Sequence, residues 1–232
     1  MATLAPSIEP TKAVARSTLE WTTIKTTLPA LPYPPVSERK AVRTQRLLLR
    51  PQKAADAEEL HQLRSQPEVM KWSLQGVPDV DVEATRKWLA RTLPPGDAKT
   101  FNFTICLAET GELLGVGGSH MRDGELGWPV IGYMFRSEAW GKGYATEFVR
   151  AFLDLWWALP RVQVELKVAT DTVQGEGDVK DELIVAVTVE DNKGSHGVLK
   201  KSGYKLIKVW EDVDARGETA TVDLYAFAAK RP

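Results

Sequence analysis

The sequence has little of what builds cross-links, metal sites or membrane anchors. Among 232 residues there is one cysteine, Cys106, so neither an intramolecular disulfide framework nor a cysteine-rich zinc site can form. Its place in the apolar run FNFTICLA marks it as a small core residue. The three histidines, His61, His120 and His196, lie far apart in the chain, which gives metal chemistry little to build on, and no metal is expected. No apolar run approaches the roughly 18–20 residues of a membrane-spanning helix, and MATLAPSIEPTKAVARST lacks the apolar centre of a secretory signal. No membrane partner is expected, and the reading is of a cytoplasmic or nuclear protein. Net charge is nearly absent too. Thirty basic against thirty-one acidic side chains leave −1, so there is no global field to hold a nucleic acid.

What is present is an ordinary globular composition, 43% hydrophobic and 26% charged, which excludes disorder for the bulk of the chain. The charge is unevenly spread. Residues 1–50 carry eight Lys or Arg and three Glu, a front of +5 ahead of a body at −6. Prolines 29, 32, 34 and 35 impose extended backbone there. Residues 1–42 are therefore expected to be an extended wrapping segment, pinned by Trp21, Leu28, Leu31 and Tyr33, with one folded domain over 43–232.

From Thr44 the pattern is α+β. LLLR (47–50) reads as a strand, and a helix holding Leu60 and Leu63 closes before Pro67. Asp81 is placed to cap a helix carrying Val82, Thr85, Trp88 and Leu89. FNFTICLAE (101–109) and LLGVGGSHM (113–121) are strands around a tight turn, and WPVIGYMF (128–135) is an apolar strand expected to be buried on both faces. Phe148, Phe152, Leu155 and Leu159 form a helical stripe. VQVELKV (162–168) alternates, LIVAVTV (183–189) is a buried strand, and a short helix from Ser195 ends at Gly203. YKLIKVW and TATVDLYAFA make a closing antiparallel hairpin. His61 and His196 read as surface helix residues.

The chemistry concentrates in RSEAWGKGYATE (136–147), which joins a buried strand to an amphipathic helix through Gly141 and Gly143. Glycines at such a turn let backbone amides point inward, and the helix N-terminus adds positive potential, so the segment suits a pyrophosphate. Lys142 and Thr146 can supplement it. A nucleoside-triphosphate loop would need glycine where Arg136 stands, and the dinucleotide fingerprint fails at Thr146. A plain capped turn is the alternative.

WGKGYAT resembles the acyl-CoA motif Q/R-x-x-G-x-G/A of the GCN5-related N-acetyltransferases (GNAT), with Trp140 in the first position. Three further segments resemble the branch of the ribosomal-protein N-terminal acetyltransferases. TQRLLLRP (44–51) is like its first strand, RSQPEVMKW and EATRKWL like its paired helices, and NKGSHGVLKKSGY (192–204) like its N-x-x-S signature. The resemblance implies a central mixed sheet flanked by helices, in which two parallel strands splay to admit the pantetheine arm of acetyl-CoA. It places backbone groups of Met134, Phe135 and Arg136 on the pantetheine. Trp140, Gly141, Lys142, Gly143, Tyr144, Ala145 and Thr146 would lie around the pyrophosphate, and Asn192 beside the arm, where it also fits a helix cap.

The activity implied is transfer of an acyl group to a primary amine, on a protein N-terminus or a small molecule, by direct attack on the thioester. A non-catalytic acyl-CoA-binding or protein-interaction module is the alternative. The partners are acyl-CoA and an amine, with the chain a monomer or homodimer. Leu199 stands where many members carry a proton-donating tyrosine, which leaves Ser195 to hydrogen-bond the departing thiolate, unless Ser195 is simply the helix N-cap. His120 matches a general base by position, with Glu125 and Asp123 able to act through water. The stretch 171–182, DTVQGEGDVKDE, is an insertion with five acidic residues, read as a solvated loop, or a hairpin if its flanking strands pair, that would favour cationic amines.

Overall fold

The computed structural model describes residues 14–15, 18–214 and 219–232. In chain order the elements are β1 (Val14–Ala15), β2 (Trp21–Pro29), β3 (Val42–Arg43), β4 (Leu47–Pro51), α1 (Ala57–Arg64), α2 (Pro67–Met70), α3 (Val82–Ala90), β5 (Phe101–Leu107), β6 (Leu113–Met121) and β7 (Val130–Phe135). They continue with α4 (Tyr144–Ala158), β8 (Arg161–Ala169), β9 (Leu183–Val189), α5 (Lys193–Lys201), β10 (Lys205–Val213) and β11 (Thr221–Lys230). The architecture is mixed α+β. Among the described residues, nine strands form one sheet in the order β1-β10-β11-β9-β7-β6-β5-β4-β3, and β2 pairs with β8 in a second. In the large sheet β9 and β7 run parallel, as do β1 and β10, while the other neighbours are antiparallel.

Three apolar layers hold the sheet. On one face the α4 stripe Phe148, Phe152 and Trp156 packs with Leu199 of α5 against Phe101, Phe103, Ile131, Ile184 and Phe227. Each of these α4 rings is fully buried, and Phe152 stacks on Trp156 at 6.0 Å. The other face has two covers. Leu60, Leu63 and Leu89 of α1 and α3 lie over Cys106, Leu113 and Val116, which confirms Cys106 as core. The β2–β8 pair lies over β9–β11 through Ile24, Val168, Val185, Trp210 and Ala226. One cover thus sits over β5–β6 and the other over β9–β11, so their seam falls near β7.

Both covers are braced from within. Asp81 caps α3 by accepting from Ala84 N at 2.8 Å. Arg64 and Asp79 form a bidentate pair at 2.6 and 2.9 Å, each side chain 2% exposed, and Arg64 lies over the Trp88 ring. Burial alone would raise the Asp79 carboxyl, but hydrogen bonds from Arg64, Thr85 and Gln75 hold it below the ordinary carboxylate range.

Several expectations change. The front segment is more than a wrapping. Residues 21–29 form a nine-residue strand, with Ile24, Thr26 and Leu28 alternating inward, registered on β8 from Trp21↔Ala169 to Pro29↔Arg161. Leu28 and Tyr33 are buried as anchors, but Trp21 and Leu31 are exposed. Residues 1–13 and 16–17 of that segment lie outside the described residues. Since β8 pairs with β2, it does not form a hairpin with β9. The 171–182 insertion instead folds along β2, with Lys180 N donating to Lys25 O and Trp128 Nε1 donating to Thr172 Oγ1, both at 2.8 Å. Three of its five carboxylates meet cations of this chain: Asp171 meets Lys208, Asp181 meets Lys230 and Glu182 meets Arg161. His196 is no surface residue. It is buried, its Nε2 lies 3.1 Å from Val189 O, and its ring packs on Tyr225 and Phe227. His61 is half-buried, with Nδ1 3.1 Å from Thr85 Oγ1. Nor is β7 buried throughout, for Gly132, Tyr133 and Met134 are only half-buried.

Candidate active site

The turn before α4 is built from backbone conformation. Gly141 and Gly143 adopt φ of 71° and 81°, the left-handed region that costs an L-residue about 1–2 kcal/mol. Gly143 is the N-cap of α4, whose first amides, from Tyr144 to Thr146, have no partners within the helix. Nothing lies within 4 Å of where a Cβ on Gly141 would stand, so the turn is open on that side. Lys142 is exposed, and Tyr144, Ala145 and Thr146 are half-buried. Trp140 is 43% exposed and donates Nε1–H to Phe135 O at 2.9 Å, tying the turn to the end of β7.

Two residues that sequence reasoning missed brace this turn from behind. Arg46 Nη1 donates to Lys142 O at 2.8 Å while its guanidinium lies 4.7 Å from the Tyr144 ring. Glu147 accepts from Thr44 Oγ1 at 2.6 Å, from Arg46 N at 2.8 Å and from Arg46 Nε at 2.7 Å. Burial would raise the Glu147 carboxyl, and these donors together hold it below its ordinary range. A carboxylate in the first helical turn was visible in the sequence. Its partner, about a hundred residues upstream, had no signal.

The strands part just before this turn. β7 and β9 share one bridging pair, Val130↔Val185, with Val185 N donating to Pro129 O at 2.8 Å. Beyond it β7 remains laddered to β6 only. Arg136 N donates to Leu114 O at 2.8 Å, so alternation turns the backbone groups of Met134 towards β6 as well. The groups facing the gap belong to Tyr133 and Phe135. Phe135 keeps its expected place at the gap, while Met134 and Arg136 do not offer their amides there. The Arg136 side chain turns instead to α1, donating to Gln62 Oε1 at 3.0 Å.

Across the gap Asn192 is the N-cap of α5, its Oδ1 accepting from Ser195 N at 3.1 Å. Ser195 is therefore not the cap, and its hydroxyl is free of that duty. It lies near the hydroxyl of Tyr133, which is shielded from solvent and has no partner at full hydrogen-bond geometry.

His120 occupies an irregularity of the β6–β7 ladder, where the register shifts between Ser119 and Met121. Such a bulge re-aims a side chain. The His120 ring lies over Gly132, where a Cβ would stand 2.9 Å from Cε1, so a larger residue at 132 would displace it. Solvent reaches one side of His120 while the other is packed on β7. Burial lowers its pKa below the ordinary value near 6.5, partly opposed by Glu125. The lowered pKa favours the neutral ring, which can accept a proton. Glu125 Oε2 is shielded and has no hydrogen-bond partner. No group of three or more metal-ligating side chains occurs among the described residues, and no helix among them is long and apolar enough to cross a membrane.

The family model for the acetyltransferase (GNAT) domain matches residues 46–205. The chain belongs to the GNAT acetyltransferase family. A curated relative, the uncharacterized N-acetyltransferase p20 of Bacillus licheniformis, is 36% identical to this GNAT chain over 112 residues; the match covers 48% of the chain and 62% of the relative's length. Among solved structures, ribosomal-protein-S5-alanine acetyltransferase from Vibrio fischeri superposes with a TM-score of 0.57 at 15% identity, covering 83% of this chain and 97% of that one. MccE, the microcin C7 self-immunity acetyltransferase in complex with acetyl-CoA and AMP, superposes with a TM-score of 0.58 at 17% identity, covering 81% and 93%. These two likenesses are of fold.

Proposed function

We propose that this GNAT protein is an acyl-CoA-dependent N-acyltransferase, with acetyl-CoA as donor and a primary amine, on a protein N-terminus or a small molecule, as acceptor. The observation that carries this reading is the gap between β7 and β9. It presents the unpaired backbone of Tyr133 and the amide of Phe135, whose carbonyl is taken by Trp140 Nε1, along one wall and the glycine turn at its mouth, an arrangement suited to an amide-bearing arm ending in a pyrophosphate. Arg46, Arg150 and Lys201, together with Glu147 and Asp154, line a groove alongside Gly143 and Thr146, where Arg150 and Lys201 can meet the phosphate end of such a ligand. The acetyl-CoA held by MccE supports the same assignment.

The chemistry asked of the protein is modest. An uncharged amine attacks the thioester carbon, the C–S bond breaks, and the thiolate departs with the electron pair. An acceptor that arrives as an ammonium, favoured by Glu125 with its shielded and unpartnered Oε2, first gives one proton to solvent, and His120, whose lowered pKa favours the neutral ring, takes the proton that the nitrogen sheds on attack. Ser195 hydrogen-bonds the thiolate. Positioning supplies most of the rate.

The test is a pair of measurements. Acetyl-CoA raises the unfolding temperature of the protein, and incubation with acetyl-CoA and a panel of peptide N-termini, polyamines and amino-acid derivatives gives a 42 Da gain, the mass of one acetyl group replacing hydrogen, as ~42 Da on at least one amine. Ser195→Ala slows that transfer and leaves acetyl-CoA affinity nearly intact. Stabilisation by acetyl-CoA without transfer to any amine refutes the enzyme reading in favour of a binding module.

A further inference from the structure

Two phenol hydroxyls from different elements lie close enough to act on one another, Tyr133 of β7 and Tyr204 ahead of β10, and Ser195 of α5 acts on the first. The Tyr133 ring packs against Phe135 and Phe148 at 6.5 and 6.3 Å, which fixes its direction, and its hydroxyl oxygen is shielded and lacks a partner. Tyr204 is 3% exposed, and its hydroxyl is likewise unpartnered. A phenol hydroxyl out of water without a hydrogen bond is costly, on the order of 1–3 kcal/mol, so the Tyr133 hydroxyl, on the strand that borders the gap, is poised to bond a group that enters there.

The position of Tyr133 narrows what that partner is. Its own backbone faces the gap opposite β9, and its hydroxyl lies near Ser195, the residue assigned above to the thiolate. We infer that Tyr133 is a further catalytic residue, whose hydroxyl donates a hydrogen bond to the sulfur of the acyl donor as the C–S bond breaks, alongside Ser195. This rests on the acyltransferase reading. The bookkeeping of the step is simple: the nitrogen lone pair forms C–N, the C–S pair leaves on sulfur, the amine proton goes to His120, and the thiolate is protonated from solvent after release. Tyr133 keeps its proton throughout. Burial pushes its pKa up to about 12, with Ser195 opposing, so it remains a donor across the physiological range. Tyr204, pushed higher by burial and by Tyr133, stays neutral behind it.

The experiment uses Tyr133→Phe, which keeps the ring and its packing, in the full chain. With the amine found active, kcat falls roughly a hundredfold while KM for acetyl-CoA is little changed. Free CoA and desulpho-CoA are the binding probes. In the wild type the bound CoA thiol ionises at lower pH than in Tyr133→Phe, read from thiolate absorbance, whereas desulpho-CoA binds both proteins alike. The double variant Tyr133→Phe/Ser195→Ala loses less than the product of the two single losses, as expected of groups acting on one atom. An unchanged kcat with an unchanged thiol titration overturns the inference. So does an equal loss of affinity for CoA and desulpho-CoA, which marks a packing role, or a larger effect from Tyr204→Phe than from Tyr133→Phe. If the wild type binds CoA but acylates no amine, the function proposed above fails, and the comparison of CoA with desulpho-CoA still decides the role of Tyr133.

Discussion

The two edges of β7 are treated differently. Along β6 the strand is laddered from Met121↔Val130 to Gly115↔Phe135, and the Arg136–Leu114 bond carries the pairing one residue further. Along β9 it is joined at Val130↔Val185 and then left open. One strand thus has a closed hydrogen-bonded edge on one side and, past Val130, an edge on the other where the Tyr133 backbone and the Phe135 amide are unpaired while Trp140 takes the Phe135 carbonyl. Unpaired backbone inside a protein is tolerated only where water or a ligand completes it, so the open edge is where binding belongs, and the closed edge with the core beneath it must keep the gap from collapsing.

That division of labour is broken most severely from below. Phe152→Ala removes a fully buried ring stacked on Trp156 under the closed side, and is expected to lower unfolding free energy by about 3–5 kcal/mol, measured by urea titration. A loss well under 1 kcal/mol would mean that the α4 face does not hold the gap open.

At the mouth of the gap the expected effect is smaller and falls on binding. Gly143→Val puts a β-branched residue at φ 81°, a strain of about 1–2 kcal/mol, which corresponds to roughly tenfold weaker binding per 1.4 kcal/mol if the turn must hold its shape for the ligand. Acetyl-CoA affinity by calorimetry checks this. Full affinity in the variant would show that the positive φ is not needed for binding.

How much of this difference was legible in the sequence depends on range. The α4 stripe, the Asp81 cap and the glycine turn are written in residues a few positions apart, and the structure has them near where local pattern put them, with Trp156 completing the buried row of Phe148 and Phe152 while Leu155 and Leu159 are only partly buried. The β2–β8 pairing was hidden because its partners are about 140 residues apart and β2 carries Thr and Lys rather than an apolar run. Of Met134, Phe135 and Arg136, read together as offering backbone groups, only Phe135 faces the gap and Tyr133 joins it, since parity in a strand is set by register with a neighbour. Tyr133 was hidden for a related reason: in VIGYMF a tyrosine reads as one more core ring until Ser195 is seen to approach its hydroxyl from another element.

A pH profile separates the two edges by chemistry. The lowered pKa of His120, caused first by burial, means the free base is kept as pH falls through 6.5 and lost only below it. If His120 is the base, kcat/KM holds constant from pH 8 to about 6.5 and declines below that, and His120→Gln lowers the plateau and removes this limb. An acid limb that survives in His120→Gln assigns the base elsewhere, with Glu125 next.

The smallest effect tests whether the open side is braced redundantly. The Arg46–Glu147 pair is partly exposed, with Arg46 42% accessible, so Arg46→Ala is expected to cost only about 0.2–1 kcal/mol of stability, read as a modest fall in melting temperature. Glu147 retains Thr44 Oγ1 and the backbone amide of residue 46 in that variant, and Gly141 and Gly143 keep the turn in shape without the bond to Lys142 O. Acetyl-CoA affinity should therefore fall less than in Gly143→Val. The reverse order would show that the mouth of the gap is held by the guanidinium brace rather than by backbone conformation.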